Sequence, residues 1–230
     1  MTIVTKPAPK TRRGDLRQAL IDYALREAQA GHVETMSLRA AARDLGVSSG
    51  AVYRHFADKD DLLCAVVKIG NEHVRAFMFE LRPRGAVAPD IQTGIARSFE
   101  MARFYIRYAH DNPTLWRMMF GRIGNAFRHE SAKDPEWVSY TPMDAVTQNM
   151  EDLHAMGAME SPPTIQDIRF LWSAIHGAAD LAQSGARLDG EYLDFVADDT
   201  NRRALRAVGC RASDIATWSL APKPDVDALP

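Results

Sequence analysis

The sequence predicts an all-α protein, and three observations carry that prediction. Apolar residues recur at spacings of three and four through almost every segment. Ser, Asp and Pro stand where helices would begin, and Gly stands where they would end. No stretch alternates apolar and polar residues over the length of a strand, and no internal repeat or low-complexity tract interrupts the pattern. With 230 residues, 46% of them apolar, the chain holds enough material for one large or two modest helical units.

Taken in order, residues 1–11 form a basic arm that reads as disordered, with Lys6 and Lys10 followed by Arg12, Arg13 and Arg17 against a single Asp15. Leu16, Leu20, Ala24 and Ala28 then mark a first helix from about Asp15 to Ala30, stopped by Gly31. Ser37 is positioned to cap a short second helix whose apolar face is Leu38, Ala41, Ala42 and Leu45, and Gly46 ends it. Ser48 caps a third helix with Val52 and Phe56 directed inward. Asp58 caps a fourth, which carries Leu62, Leu63, Val66, Val67, Val74, Phe77 and Leu81 and stops before Pro83.

Beyond the break "RPRGAVAP", the stretch "DIQTGIARSFEMARFYIRYAH" is apolar around much of its circumference, as a central bundle helix should be. "PTLWRMMFG" is a short helix with Pro113 near its start. Residues 122–140 read as a polar loop with at most a turn of helix. "TPMDAVTQNMEDLHAMG", "PPTIQDIRFLWSAIHGAADLAQSG" and "GEYLDFVADDTNRRALRAVG" complete the helices, and residues 211–230 read as a frayed tail.

Charge separates the two ends of the chain. Residues 1–60 carry a net +3 within a total of −2, leaving the remainder at −5. A basic N-terminal region beside an acidic remainder suits contact with nucleic acid through the first part only. "MTIVTKPAPKTRRGD" has no apolar core of a secretion signal, and no apolar run is long enough to span a bilayer. Cys64 and Cys210 show no metal or redox spacing and read as free thiols. The expectation is a cytoplasmic protein without a metal or cofactor.

The chemistry concentrates in "GVSSGAVYRHFADKDDLL", residues 46–63. Two helices too short to stand alone, joined by a Gly-containing turn of about three residues, are the pattern of a helix-turn-helix. Ser49, Gly50 and Ala51 let the backbone of the second helix approach base edges. Tyr53 and His55 reach phosphates or bases, Arg54 pairs with phosphate or guanine, and Lys59 stands at the start of the next helix. Gly50 lowers helix stability, which makes sense where close approach matters more than propensity.

The run Gly46-Val47-Ser48, then Tyr53, His55-Phe56, Lys59 and Leu62-Leu63, resembles the DNA-binding domain of the tetracycline-repressor (TetR) family of bacterial transcription regulators, over roughly residues 12–70. "NPTLWRMMFG" and "FLWSAIHGAADLAQSG" are similar to the family's Trp/His-Gly (WHG-type) class of C-terminal domain. The resemblance implies a helix-turn-helix domain over 12–60, a ligand-binding and dimerisation domain over 61–210, a homodimer, double-stranded palindromic operator DNA and a small-molecule effector. It implies DNA contacts by Ser37 and Arg39, a recognition surface of Ser48, Ser49, Gly50, Ala51, Tyr53 and His55, and a phosphate contact by Lys59. Arg54 varies within such motifs. Ser37 stands where many relatives carry Thr, and both cap a helix.

For the effector, a deformable apolar lining is expected from Met101, Phe104, Trp116, Met119, Phe120, Met143, Phe170 and Trp172, with Met118 and Met150 as further candidates. His176 reads first as a hydrogen-bonded core histidine and second as a ligand contact. Ile165, Ile168, Trp172, Ile175, Ala179 and Ala182 follow a heptad rhythm that suits a dimer seam, or the same stripe packed within one subunit. The function read from the sequence is a ligand-responsive repressor. An activator, or a regulator whose ligand promotes DNA binding, is the alternative. An all-helical enzyme is the reading from another class, against which the sequence offers no nucleophile with a paired base, no phosphate loop and no metal cluster.

Overall fold

The computed structural model describes residues 16–135, 141–183 and 190–216, and among them eleven helices and no strand. In chain order these are α1 (Leu16–Gln29), α2 (Leu38–Asp44), α3 (Ser49–Tyr53), α4 (Lys59–Leu81), α5 (Ile91–Asp111), α6 (Pro113–Phe120), α7 (Arg122–Ser131), α8 (Pro142–Ala155), α9 (Ile165–Leu181), α10 (Gly190–Ala207) and α11 (Ala212–Ala216). The basic arm expected at residues 1–11 and the end of the tail lie outside the described residues.

The described residues fall into two units that do not follow a single boundary in sequence. One unit holds residues 16–73 and 112–135; the other holds 74–111, 141–183 and 190–216. The expected division at residue 60 places all but the first two residues of α4 in the second part, whereas the compact units divide α4 between His73 and Val74. The reason is visible in its side chains: Leu62, Leu63, Val66 and Val67 are buried in the first unit, and Val74 and Met78 in the second.

In the first unit α1 packs against α2, α3 and α6, and α6 packs against α7. Leu20, Ala24, Val52, Phe56, Leu62 and Val66 are fully buried, and the Arg17 guanidinium lies 5.1 Å from the centre of the Phe56 ring. Residues 122–131, expected to be a loop, form α7. Ile123, Gly124 and Phe127 give that helix one buried turn-to-turn stripe, enough for tertiary packing to override its polar composition. Close packing is also written into Gly70, where a Cβ would stand 2.7 Å from the Met119 sulfur.

In the second unit α5 is central and packs against α8, α9, α10 and α11. Its pairing with α10 is an antiparallel row of polar contacts. Ser98 Oγ donates to Asn201 Oδ1 at 3.2 Å, Arg103 makes two hydrogen bonds of 2.6 Å to Asp198, and Arg107 makes two of 2.7 and 2.6 Å to Asp194. Asp198 is buried, and the forked guanidinium of Arg103 is what makes an ionised carboxylate tolerable there. A second buried pair, Arg82 with Asp152 at 2.8 and 3.1 Å, ties the end of α4 to α8, and Asp152 also accepts the Ala88 N–H.

Helices α8 and α9 each begin with a reciprocal cap, Thr141 with Asp144 and Thr164 with Asp167. Residues 212–216, expected to belong to a frayed tail, form α11, because Ile215 is buried in the same apolar cluster as Ile95, Phe99, Leu153 and Leu205. Both cysteines are free thiols; burial pushes the Cys210 thiol up to about 12, and burial also raises that of Cys64.

Candidate functional site

The geometry of the helix-turn-helix follows from its caps. Ser37 Oγ accepts the Ala40 N–H at 3.1 Å, and Ser48 Oγ accepts the Ala51 N–H at 3.2 Å. Between them α2 closes with Gly46 at φ 66°, Gly46 N–H bonded to Arg43 O and Val47 N–H bonded to Ala42 O. That left-handed closure turns the chain within three residues and lets α3 start at once. Asp58 Oδ1 accepts the Asp61 N–H at 2.9 Å and so starts α4 in turn.

With Val52 and Phe56 buried, the remaining groups of this segment face outward. Ser37, Arg39, Ser48, Ser49, Gly50, Arg54 and His55 are exposed, Ala51 is half-buried, and Tyr53 is 49% exposed despite its aromatic ring. The helix is shorter than the sequence suggests: α3 ends at Tyr53, Arg54 is its C-cap, and His55 follows. Lys59 is half-buried, its ammonium donating to the Glu34 carbonyl at 3.0 Å. A Cβ added at Gly50 would meet nothing within 4 Å, so the protein's own packing does not require glycine there.

In the second unit a cavity of about 40 Å³ is lined by Met78 of α4, by Ser98, Met101, Ala102 and Tyr105 of α5, by Pro142, Val146, Asn149 and Met150 of α8, by Leu171, Trp172 and Ile175 of α9, and by Asn201 of α10. Of the nine side chains expected around an effector, Met101 and Trp172 are in this lining. The structure places the others outside it. Phe104 is buried but stacks on Phe77 with ring centres 3.7 Å apart. Met143 packs against the apolar cluster of α5, α8 and α9. Phe170 is 51% exposed, on a face of α9 turned away from its buried Ile168, Leu171 and Ile175.

Trp116 and Met119 are buried in the first unit, and Phe120 there lies 4.5 Å from the Trp116 ring. Residue type alone does not separate a Met-aromatic core from a Met-aromatic lining. His176 stands behind the cavity wall, sharing a hydrogen bond of 3.1 Å with Tyr105 and stacking on Trp172 at 5.7 Å. Burial lowers its pKa, against a smaller opposing pull from Asp180, so the ring is neutral at physiological pH.

Sequence reasoning missed the polar members of the lining, Ser98, Asn149 and Asn201. The signal was available: each falls on the buried stripe of its helix, where an apolar residue is the default. Of the two readings of the heptad stripe of α9, packing within one subunit describes most of it, with Ile165 exposed. Ile168, Ile175, Ala179 and Ala182 are buried within the chain, because that stripe faces α5, which α9 packs against. A second stripe of α9, with Phe170, Ser173, Gly177 and Leu181, is exposed, and with Tyr192, Val196 and Thr200 of α10 most of it lines a surface groove.

A helix-turn-helix that shows solvent small, aromatic and basic groups, in a chain whose other helices enclose an apolar cavity, defines a DNA-binding regulator. The chain belongs to the TetR family of bacterial transcription regulators: the profile of the bacterial regulatory proteins of the tetR family matches residues 20–66, and that of the tetracyclin repressor-like C-terminal domain matches residues 98–208. No curated protein matches the sequence.

Solved structures share the fold at low identity. A transcriptional regulator of the TetR/AcrR family from Thermobifida fusca YX-ER1 is 17% identical with a TM-score of 0.63, covering 83% of this chain and 97% of that one. SmeT in complex with triclosan is 15% identical with a TM-score of 0.62, covering 91% and 98%. RolR with the ligand resorcinol is 16% identical with a TM-score of 0.58, covering 92% and 97%.

Proposed function

We propose that the protein is a homodimeric repressor that leaves a palindromic operator when a small, largely apolar effector enters the cavity of the second unit. The observation that carries the reading is the outward face of α3, where Gly50 answers no need of the fold and Tyr53 is half exposed. The aromatic ligands of SmeT and RolR accord with an apolar cavity as the effector site. Of the two chains in the dimer, each would bring the exposed stripe of α9 and the adjoining side chains of α10 to the interface. Two α3 helices would then enter successive major grooves.

The cavity is too small, at about 40 Å³, for an organic effector, so binding enlarges it. Met78, Met101 and Met150 can change rotamer at little cost. Met78 lies on α4, the helix that begins at Lys59, so a displaced Met78 is a route by which a ligand biases the DNA-binding end. An effector acts only to the extent that it prefers the enlarged state.

Selection of bound fragments from random DNA by the full-length protein tests the reading, with an inverted repeat expected and a direct or single site excluding a symmetric dimer on DNA. Two substitutions sharpen it. Gly50→Ala should stabilise the fold by about 0.4–1 kcal/mol by restricting the unfolded chain. It should nonetheless weaken operator binding at least about tenfold by holding α3 off the base edges; a thermal melt and a gel shift read the two effects. Lys59→Ala should weaken operator and random DNA alike and reduce the slope of log K against log[salt] by about 0.9, the loss of one phosphate contact. An unchanged slope would assign Lys59 to its tie with Glu34.

A further inference from the structure

Two amide side chains belong to the otherwise largely apolar lining of the cavity. Asn149 and Asn201 line it, each only 1% exposed. The Asn149 Nδ2 donates to the Gly94 carbonyl at 2.9 Å, which fixes the orientation of that amide and turns the other atom, Oδ1, into an acceptor without a partner among the described residues. The Asn201 Oδ1 accepts from Ser98, and its Nδ2 is a donor without a partner among the described residues. One unmet acceptor and one unmet donor thus belong to two residues that line a single cavity. A buried polar group without a hydrogen bond is costly, and a ligand that completes it recovers that cost on binding.

The rest of the lining sets the other requirements. Among the described residues no charged side chain lines the cavity. Two buried acids on the lining helices are committed, Asp198 to Arg103 and Asp152 to Arg82, and His176 is engaged with Tyr105. A carboxylate or ammonium group would therefore lose its hydration without gaining a counter-charge. Met78, Met101, Val146, Met150, Leu171 and Trp172 offer an apolar body its contacts.

Resting on the reading of this cavity as the effector site, we propose that the effector is a neutral molecule with an apolar body and one hydroxyl or unionised amide group, which donates to Asn149 Oδ1 and accepts from Asn201 Nδ2. A hydroxyl does both through one oxygen, and an amide does so through adjacent N–H and C=O groups. Recognition by buried polar groups discriminates strongly against an analogue that leaves them unpaired.

The test is a matched series of probes of one size: 2-naphthol, 2-naphthamide, 2-methylnaphthalene and the 2-naphthoate anion, each titrated calorimetrically into the full-length protein at neutral pH. 2-Naphthol and 2-naphthamide should bind at least about tenfold more tightly than the other two. Asn149→Leu and Asn201→Leu, checked for native helix content by circular dichroism, should each bring 2-naphthol and 2-methylnaphthalene to within a few-fold of one another.

The proposal is overturned by equal binding of the four probes, by tightest binding of the anion, by binding of none of them, or by an undiminished preference in both folded variants. The wild-type series decides on its own if a variant fails to fold. A parallel gel shift separates this result from the effector reading. A probe preference as expected with unchanged operator affinity overturns the effector role and leaves the cavity chemistry standing. Operator release by 2-naphthoate alone does the reverse.

Discussion

The double substitution Tyr53→Ala, His55→Ala is expected to bring operator affinity down to that for random DNA, a loss of about 10³-fold or more. Both side chains lie on the exposed side of the segment whose buried side is Val52 and Phe56. The substitutions remove no core contact, so folding stability should move by no more than about 0.5 kcal/mol. A circular-dichroism melt and gel shifts on operator and random duplexes read the two quantities separately. Random-sequence affinity should survive, because Lys59, Arg39 and Arg54 remain to meet phosphates. Retained operator preference in a folded double variant would mean that α3 does not read bases. Loss of both affinities with an intact melt would instead make Tyr53 and His55 phosphate contacts, which position the protein without specifying sequence.

That the exposed face of α3 was legible in the sequence has a local cause. Caps, turns and short helices are set by nearest neighbours, so Ser37, Gly46, Ser48 and Asp58 announce α2, α3 and α4 without knowledge of the rest of the chain. Long helices were legible for the same reason, and their ends fall where Pro142, Thr164 and Gly157 place them. The cavity was not legible in this way, because its wall is assembled from five helices spread over residues 78–201. Met101 and Met119 look alike in sequence, yet one lines a cavity and the other fills a space left by Gly70. Two features misled in opposite directions. The heptad rhythm of α9 belongs to its intrachain stripe, and the polar residues of α7 hid a helix held by Ile123 and Phe127.

Substitutions at Ala102 should separate an occupied cavity from an enlarged one. Ala102 is buried on α5 and lines the cavity, so a larger side chain there grows into the space an effector would use. Ala102→Val adds two carbons, which about 40 Å³ accommodates. That variant should keep operator affinity, lose response to effector, and be at least as stable as the parent. Ala102→Trp exceeds the space and must push Met78 or its neighbours aside, at a cost of about 1–3 kcal/mol. If enlargement is what releases DNA, the indole acts as a tethered effector, and operator binding should be weak with no ligand present. The opposite outcome, tight operator binding by Ala102→Trp, would show that cavity volume and DNA affinity are not linked. Reciprocity makes a further demand on the parent protein. An effector that weakens operator binding by some factor must bind the operator complex more weakly than free protein by that same factor. Calorimetric titration of a bound probe against both forms measures this directly, and equal affinities would disconnect the cavity from the helix-turn-helix.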